Sequence, residues 1–233
     1  MQFRTKARAV DLLGKGQIAD LPTAITELWK NGYDAYADNI TAEIYLKGYK
    51  GLKSSWFVIT DDGVGMSQTD VLDKWLVLGS DSKSRTSILD VKGETTLWKT
   101  PRVKAGEKGI GRLSVAFLGS PMLMLTKKAG FPIQTMYFDW RLLENYNLFL
   151  EDINIPVESC RPETFRYIFN NLKGSFLQNF DKIVSEDGQN VWESGQLELR
   201  NSIISSSRSL ELPSFFELVT LICFVYFKNI KDL

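Results

Sequence analysis

Glu27, Asn31 and Asp34 stand at i, i+4 and i+7 within the run Glu-Leu-Trp-Lys-Asn-Gly-Tyr-Asp-Ala. On a helix these positions share one face. Two carboxylates and one amide would then line a single strip. A carboxylate in such a place can take a proton from an attacking water. An amide oxygen is a neutral ligand that suits Mg²⁺, which selects oxygen donors and keeps several waters. Read alone, the strip also fits an ordinary solvated helix face.

A second segment adds chemistry of another kind. Asp61-Asp62-Gly63-Val64-Gly65-Met66 follows a short apolar run, Ser55 to Thr60, rich in strand formers. Glycines after a strand let the backbone turn tightly and approach a flat ligand. An aspartate at the strand end can accept a hydrogen bond from the exocyclic amine of adenine, where guanine presents an oxygen. The third segment is Gly106-Glu107-Lys108-Gly109-Ile110-Gly111-Arg112, followed by an apolar run from Leu113. A glycine loop leading into a helix offers free N–H groups to phosphates. Lys108 and Arg112 add charge. Neither the Walker nor the Rossmann glycine pattern is matched, so the phosphate loop is of a different kind.

The elements that must position these groups can be read coarsely. Asp20 can cap a helix of about 21–37, with Pro22 in its first turn and Leu21, Ile25, Leu28 and Ala35 packing beneath it. A short helix over 7–13 and a loop over 16–20 precede it. Strands are expected at Ala42–Leu46 and Ser55–Thr60. A helix over 68–77 would carry Val71, Leu72, Trp75 and Leu76. A polar lid spans about 79–111, and loops of that length are usually functional. A helix over 111–118 follows, then a hairpin of Met122–Lys127 and Ile133–Asp139 around Lys128-Ala129-Gly130. The fold class is α+β, a two-layer α/β sandwich whose mixed, mostly antiparallel sheet carries helices on one face.

The three segments, in this order and spacing, resemble the boxes of the GHKL ATPases, which have the Bergerat fold. That superfamily includes gyrase B-type topoisomerases, ninety-kilodalton heat-shock chaperones, histidine kinases and MutL proteins. The resemblance covers about residues 5–140, the expected ATP-binding domain 1–140. It implies Glu27 as general base and Asn31 as magnesium ligand. Asp34 and Ala35 complete the first box in the form seen in the chaperone and MutL branches. Asp61 matches the adenine-reading aspartate, with Gly63, Gly65 and Met66 behind it. Gly109 and Gly111 match the phosphate-binding glycines, flanked by Lys108, Ile110, Arg112 and Leu113. Leu78-Gly79-Ser80-Asp81-Ser82-Lys83 resembles a MutL-type lid, in which Ser82 and Lys83 near the phosphates. The cofactors implied are ATP and Mg²⁺, and the implied cycle is Mg-dependent hydrolysis to ADP and phosphate with lid closure and an ATP-dependent homodimer. A non-hydrolytic ATP sensor shares every motif. A DNA-acting module of the MutL or MORC kind is a third reading, as is an interaction with an unidentified protein partner.

Composition bounds these readings. The chain has 233 residues, 44% apolar, with zero net charge. That argues against a generally basic nucleic-acid binder. Residues 81–112 nevertheless hold eight Lys/Arg against four acids, a local net +4 that suits a triphosphate or a solvated loop. The absence of histidine excludes a phosphoacceptor histidine in this chain, a Ser-His-Asp triad and His-ligated metals. Cys160 and Cys223 read as reduced core residues. No signal peptide or membrane span is expected, which points to the cytoplasm. Residues 141–233 read as a mainly helical extension: Trp140–Leu150 helical, Thr164–Phe180 helical with Phe165, Ile168, Phe169, Leu172, Phe176 and Phe180 as its apolar face, Ser202–Ser209 a serine-rich loop, and Phe215–Phe227 a buried helix or strand. The late Gly-Thr strand and transducer lysine that the resemblance implies are not found, which fits either a truncated chain or an extension of a different kind.

Overall fold

A computed structural model describes residues 4–18, 20–78, 92–105, 113–185, 187–213 and 222–227. Its frame is a six-stranded sheet in the order β1-β2-β6-β3-β4-β5. The strands are β1 (Ile40–Tyr45), β2 (Trp56–Asp61), β3 (Met122–Thr126), β4 (Ile133–Phe138), β5 (Val157–Cys160) and β6 (Ile222–Phe227). Every described pairing is antiparallel. With the helices that pack on the sheet this is the expected α+β class.

The helix α2 (Leu21–Asp34) forms for the local reasons its sequence contains. The Asp20 carboxylate accepts the Thr23 N–H at 2.8 Å, and Pro22 sits in the first turn, where its missing N–H costs nothing. Ala24 and Leu28 are buried beneath it, whereas Leu21 stays exposed. The helix stops at Asp34, three residues earlier than expected, in a tight cap. Ala37 N–H reaches back to the Gly32 carbonyl at 3.0 Å, and Tyr36 N–H to that of Tyr33 at 3.0 Å. This is a Schellman cap, whose turning residue needs a left-handed backbone. Here that residue is Tyr36, at φ 63°, fully buried. A non-glycine residue there costs roughly 1–2 kcal/mol, so neighbouring contacts must hold it.

Other elements follow or correct the sequence reading. The first helix, α1 (Ala7–Gln17), is longer than expected. Gln68–Asp70 forms a single α-turn (α3), capped reciprocally by Ser67 and Asp70, and passes into a π-type turn, Val71–Trp75. α4 (Ser114–Leu118) packs against α2. The hairpin β3–β4 has the expected turn, with Thr126 opposite Gln134. Trp140–Leu150 is not one helix: Trp140–Glu144 and Leu150–Asp152 are separate 3₁₀ turns. β5 was not anticipated; it adds to β4 at the sheet edge.

Residues beyond 140 pack on the same sheet. α5 (Phe165–Leu177) contacts β4 and β5, burying Phe165, Phe169, Leu172 and Phe176. Tyr137 and Phe138 of β4 meet Phe176 edge-on at 5.3 and 5.7 Å, each pair contributing about 0.5–1.5 kcal/mol beyond burial. The serine-rich stretch is not a loop but the second half of α6 (Leu197–Ser209). Its hydroxyls have tertiary partners: Arg141 donates to Ser202 and Ser206, and Tyr137 to Ser207. Those bonds offset the weak helix propensity of serine. The late apolar run includes a strand, β6, between β2 and β3. Its sequence, Ile-Cys-Phe-Val-Tyr-Phe, contains neither Gly nor Thr.

Candidate functional site

Among the described residues, the C-terminal end of α2 meets the end of β2 at Gly32, Ala35, Asp61 and Gly63. Glu27 lies two turns before the helix end, and Lys30 donates to its Oε1 at 2.7 Å. Asn31 follows one turn later, half-buried. Asp34 is 8% exposed, and its Oδ1 accepts the Ala105 N–H at 2.7 Å. The strip inferred from spacing therefore exists, and its last member ties the helix to the chain entering the glycine-rich segment.

The turn after β2 is built against the helix end. Ala35 carbonyl accepts the Val64 N–H at 2.9 Å. Gly63 has no room for a side chain: a Cβ would lie 2.6 Å from the Ala35 oxygen and 2.7 Å from the Ala35 Cβ. Gly65 has φ +64°, and a Cβ there would fall 2.0 Å from the Lys127 carbonyl, so glycine is needed both for the conformation and for the approach to the β3–β4 hairpin. Met66 N–H donates to Thr126 Oγ1 at 2.9 Å, a buried support that sequence reading missed.

Asp61 and Asp62 are adjacent and opposite in character. Asp62 is exposed, and its carboxylate accepts from Asp38 N–H (2.7 Å), Asn39 N–H (2.9 Å) and Asn39 Nδ2 (2.8 Å). The Asn39 backbone and side-chain bonds hold its pKa below the usual carboxylate range. Asp61 is 7% exposed, and among the described residues its one hydrogen bond is from Gly63 N–H at 2.9 Å. Burial pushes its pKa up, the Gly63 bond opposes this, and the Asp62 charge adds to the rise. A carboxylate accepts about four hydrogen bonds, so among the described residues the Asp61 carboxylate has acceptor capacity beyond the Gly63 bond.

Residues 92–105 also bind the α2 end. Lys99 Nζ donates to Tyr36 O at 2.6 Å, Arg102 Nη1 to Tyr33 O and Ala37 O at 3.2 and 3.1 Å, and Lys104 Nζ to Asp34 O at 2.9 Å. The Tyr33 and Asp34 carbonyls belong to the last helical turn and those of Tyr36 and Ala37 to the turn that follows it, where the helix dipole attracts cations. Sequence reading took these three cations only as part of a basic lid. Nothing local marks their target, because the partners lie more than 60 residues away.

Leu113 is buried in the core at the start of α4. Ser82, Lys83, Lys108, Gly109, Ile110, Gly111 and Arg112 lie outside the described residues. Among the described residues no three His, Cys, Asp or Glu come together as a metal cluster. The Asn31 amide has no hydrogen-bond partner among them either, so it can offer one oxygen to a Mg²⁺ whose other ligands come from phosphates and water.

A sequence profile of the histidine kinase-, DNA gyrase B- and HSP90-like ATPases matches residues 19–163. The chain belongs to this ATPase family. The match runs from the cap of α2 through β5 and takes in Glu27, Asn31, the Asp61 turn and the glycine-rich segment. ATP binding in this ATPase domain follows at the level of the family. α5, α6 and β6 lie beyond the matched residues. No curated protein matches the chain.

Proposed function

We propose that this ATPase-family chain binds ATP with adenine on Asp61 and Mg²⁺ on Asn31, and hydrolyses it with Glu27 as the base. The observation that carries the reading is Asp61, a buried strand-end carboxylate with spare acceptor capacity, walled by a turn that only glycine can form. Glu27 is two turns from the helix end set against that wall, 25% exposed and therefore within reach of water. It orients a water for attack on the γ-phosphorus and accepts its proton as the bond to ADP breaks. Asp34 and Ala35 position the wall, Gly63, Gly65 and Met66 shape it, and Leu113 anchors the segment behind the phosphates. Ser82, Lys83, Lys108, Gly109, Ile110, Gly111 and Arg112 are proposed on the phosphates from the family resemblance. Magnesium, when bound, neutralises phosphate charge. Nucleotide binding then works as a switch that closes the lid and favours a homodimer. Among the described residues no helix is long and apolar enough to cross a membrane.

A second reading, the non-hydrolytic sensor, is favoured by one observation. Lys99, Arg102 and Lys104 are bound to carbonyls of the α2 end and the turn after it, which takes three cations away from the γ-phosphoryl group. Calorimetric titration with ATP and ADP plus Mg²⁺, run beside phosphate release on the wild type and Glu27→Ala, separates the two. The ATPase reading expects unchanged binding in the variant and release lowered by about 10²–10⁴-fold. Equal release from both proteins removes Glu27 as the base. Binding without release in the wild type establishes the sensor.

A further inference from the structure

The contacts of three basic residues before the glycine-rich segment have a common target. Lys99, Arg102 and Lys104 all act on the corner Tyr33–Asp38. Besides the four carbonyl contacts, Lys99 pairs with Asp38 at 2.8 Å, and Arg102 N–H donates to the Tyr36 hydroxyl at 3.2 Å. The Arg102 guanidinium lies 5.0 Å from the Tyr33 ring and 5.4 Å from that of Tyr36. The corner's central residue, Tyr36, holds a left-handed backbone that its own side chain disfavours. Its hydroxyl and its carbonyl are both bound by this strap.

The same corner also walls the proposed adenine site. Ala35 is packed on Gly63 and bonds to Val64, and Gly63 in turn fixes the Asp61 carboxylate. The corner is thus held between the strap and the Asp61 turn. The geometry points to Lys99, Arg102 and Lys104 as positioning residues for adenine recognition, not ligands of the triphosphate. Loss of the strap lets the Tyr36 cap relax, shifts Ala35, and moves the Asp61 carboxylate that Gly63 orients. The inference rests on the adenine site proposed above.

The test uses the number of phosphates as a ruler. ATP, ADP and adenosine are titrated by calorimetry into the full chain as wild type, Arg102→Ala and Arg102→Lys, with GTP as a selectivity control and thermal melts to confirm folding. A strap predicts that Arg102→Ala weakens all three adenine ligands by the same factor, about tenfold, as a preorganised site goes slack. It also narrows the preference for ATP over GTP. Arg102→Lys recovers only part, because an ammonium cannot reproduce the guanidinium fork. The exposed Lys104→Met gives a smaller, equal loss and serves where Arg102→Ala fails to fold. A loss that grows from adenosine to ADP to ATP overturns the strap, for these cations would then touch phosphates. Unchanged affinities for a wild type that binds overturn it as well. A wild type that binds none of the ligands instead overturns the adenine site itself, and the strap with it.

Discussion

Two strands of this sheet end in a buried aspartate, and the two carboxylates have opposite fates. At the end of β4, Asp139 is completely buried and its bonds are all supplied by the protein. Ser120 donates its hydroxyl, Arg141 its backbone N–H at 3.1 Å, and the Arg141 guanidinium a fork at 2.9 and 2.5 Å. Arg141 goes on to the serines of α6. At the end of β2, Asp61 is nearly as buried and receives, among the described residues, one backbone N–H. A carboxylate whose acceptor sites are filled holds structure together; one left short of donors in a buried place is suited to take a donor from a ligand. The same residue type at the same topological position is told apart by its satisfied bonds, not by its burial.

The comparison can be broken first at Asp139. Asp139→Ala leaves the Arg141 guanidinium without its buried partner and loosens its hold on Ser202 and Ser206 of α6, so stability should fall by about 3–5 kcal/mol, read from denaturant unfolding. A loss below about 1 kcal/mol would place Asp139 among ordinary surface ion pairs. Gly63→Ala comes next. Its Cβ collides with the Ala35 oxygen at 2.6 Å, so the Asp61 turn must shift. A stability loss of roughly 1–3 kcal/mol is expected, with ATP affinity falling alongside.

The smallest effect sharpens the comparison through pH. Asp61 has a folded pKa raised by burial, so its contribution to stability is present below its unfolded pKa and is lost as pH rises through the folded value. Ligand binding follows the opposite course, since only the ionised carboxylate accepts from the amine without a competing proton. ATP affinity measured from neutral pH downward should therefore begin to fall above the ordinary carboxylate range. Asp70 supplies an internal contrast. Burial raises its pKa, but hydrogen bonds from Lys128, Lys74 and Ser67 outweigh this and hold it well below the usual range. Its stabilisation is present above the unfolded pKa and is lost only as pH falls into the strongly acid range.

Local chemistry explains which parts were legible in the sequence. The α2 cap, the strip Glu27–Asn31–Asp34, the β2 strand and the glycines after it follow from spacing, capping and close approach, which operate within a few residues. Phe165, Phe169, Leu172 and Phe176 declared α5 by their period. The serine-rich half of α6 was misread as a loop because its helix is held by Arg141 and Tyr137, more than 60 residues earlier in the chain. β5 is short, half-exposed and without alternation, so its identity comes from pairing with β4. The strap was invisible for a related reason. A lysine or arginine in a polar stretch reads as a solvated charge, and the carbonyls that claim Lys99, Arg102 and Lys104 are presented together only once α2 has ended at Asp34 and the chain has turned at Tyr36.

The most direct measurement is a paired one on Asp61→Asn: a thermal melt and a calorimetric ATP titration, each beside the wild type. Removing a buried charge that has one donor among the described residues should keep the melting temperature or raise it slightly. Losing a charged acceptor should weaken ATP by about 10–100-fold. A variant that melts far below the wild type, or one that binds ATP as the wild type does, would contradict the account, because Asp61 would then be a structural carboxylate like Asp139 or no part of the nucleotide site.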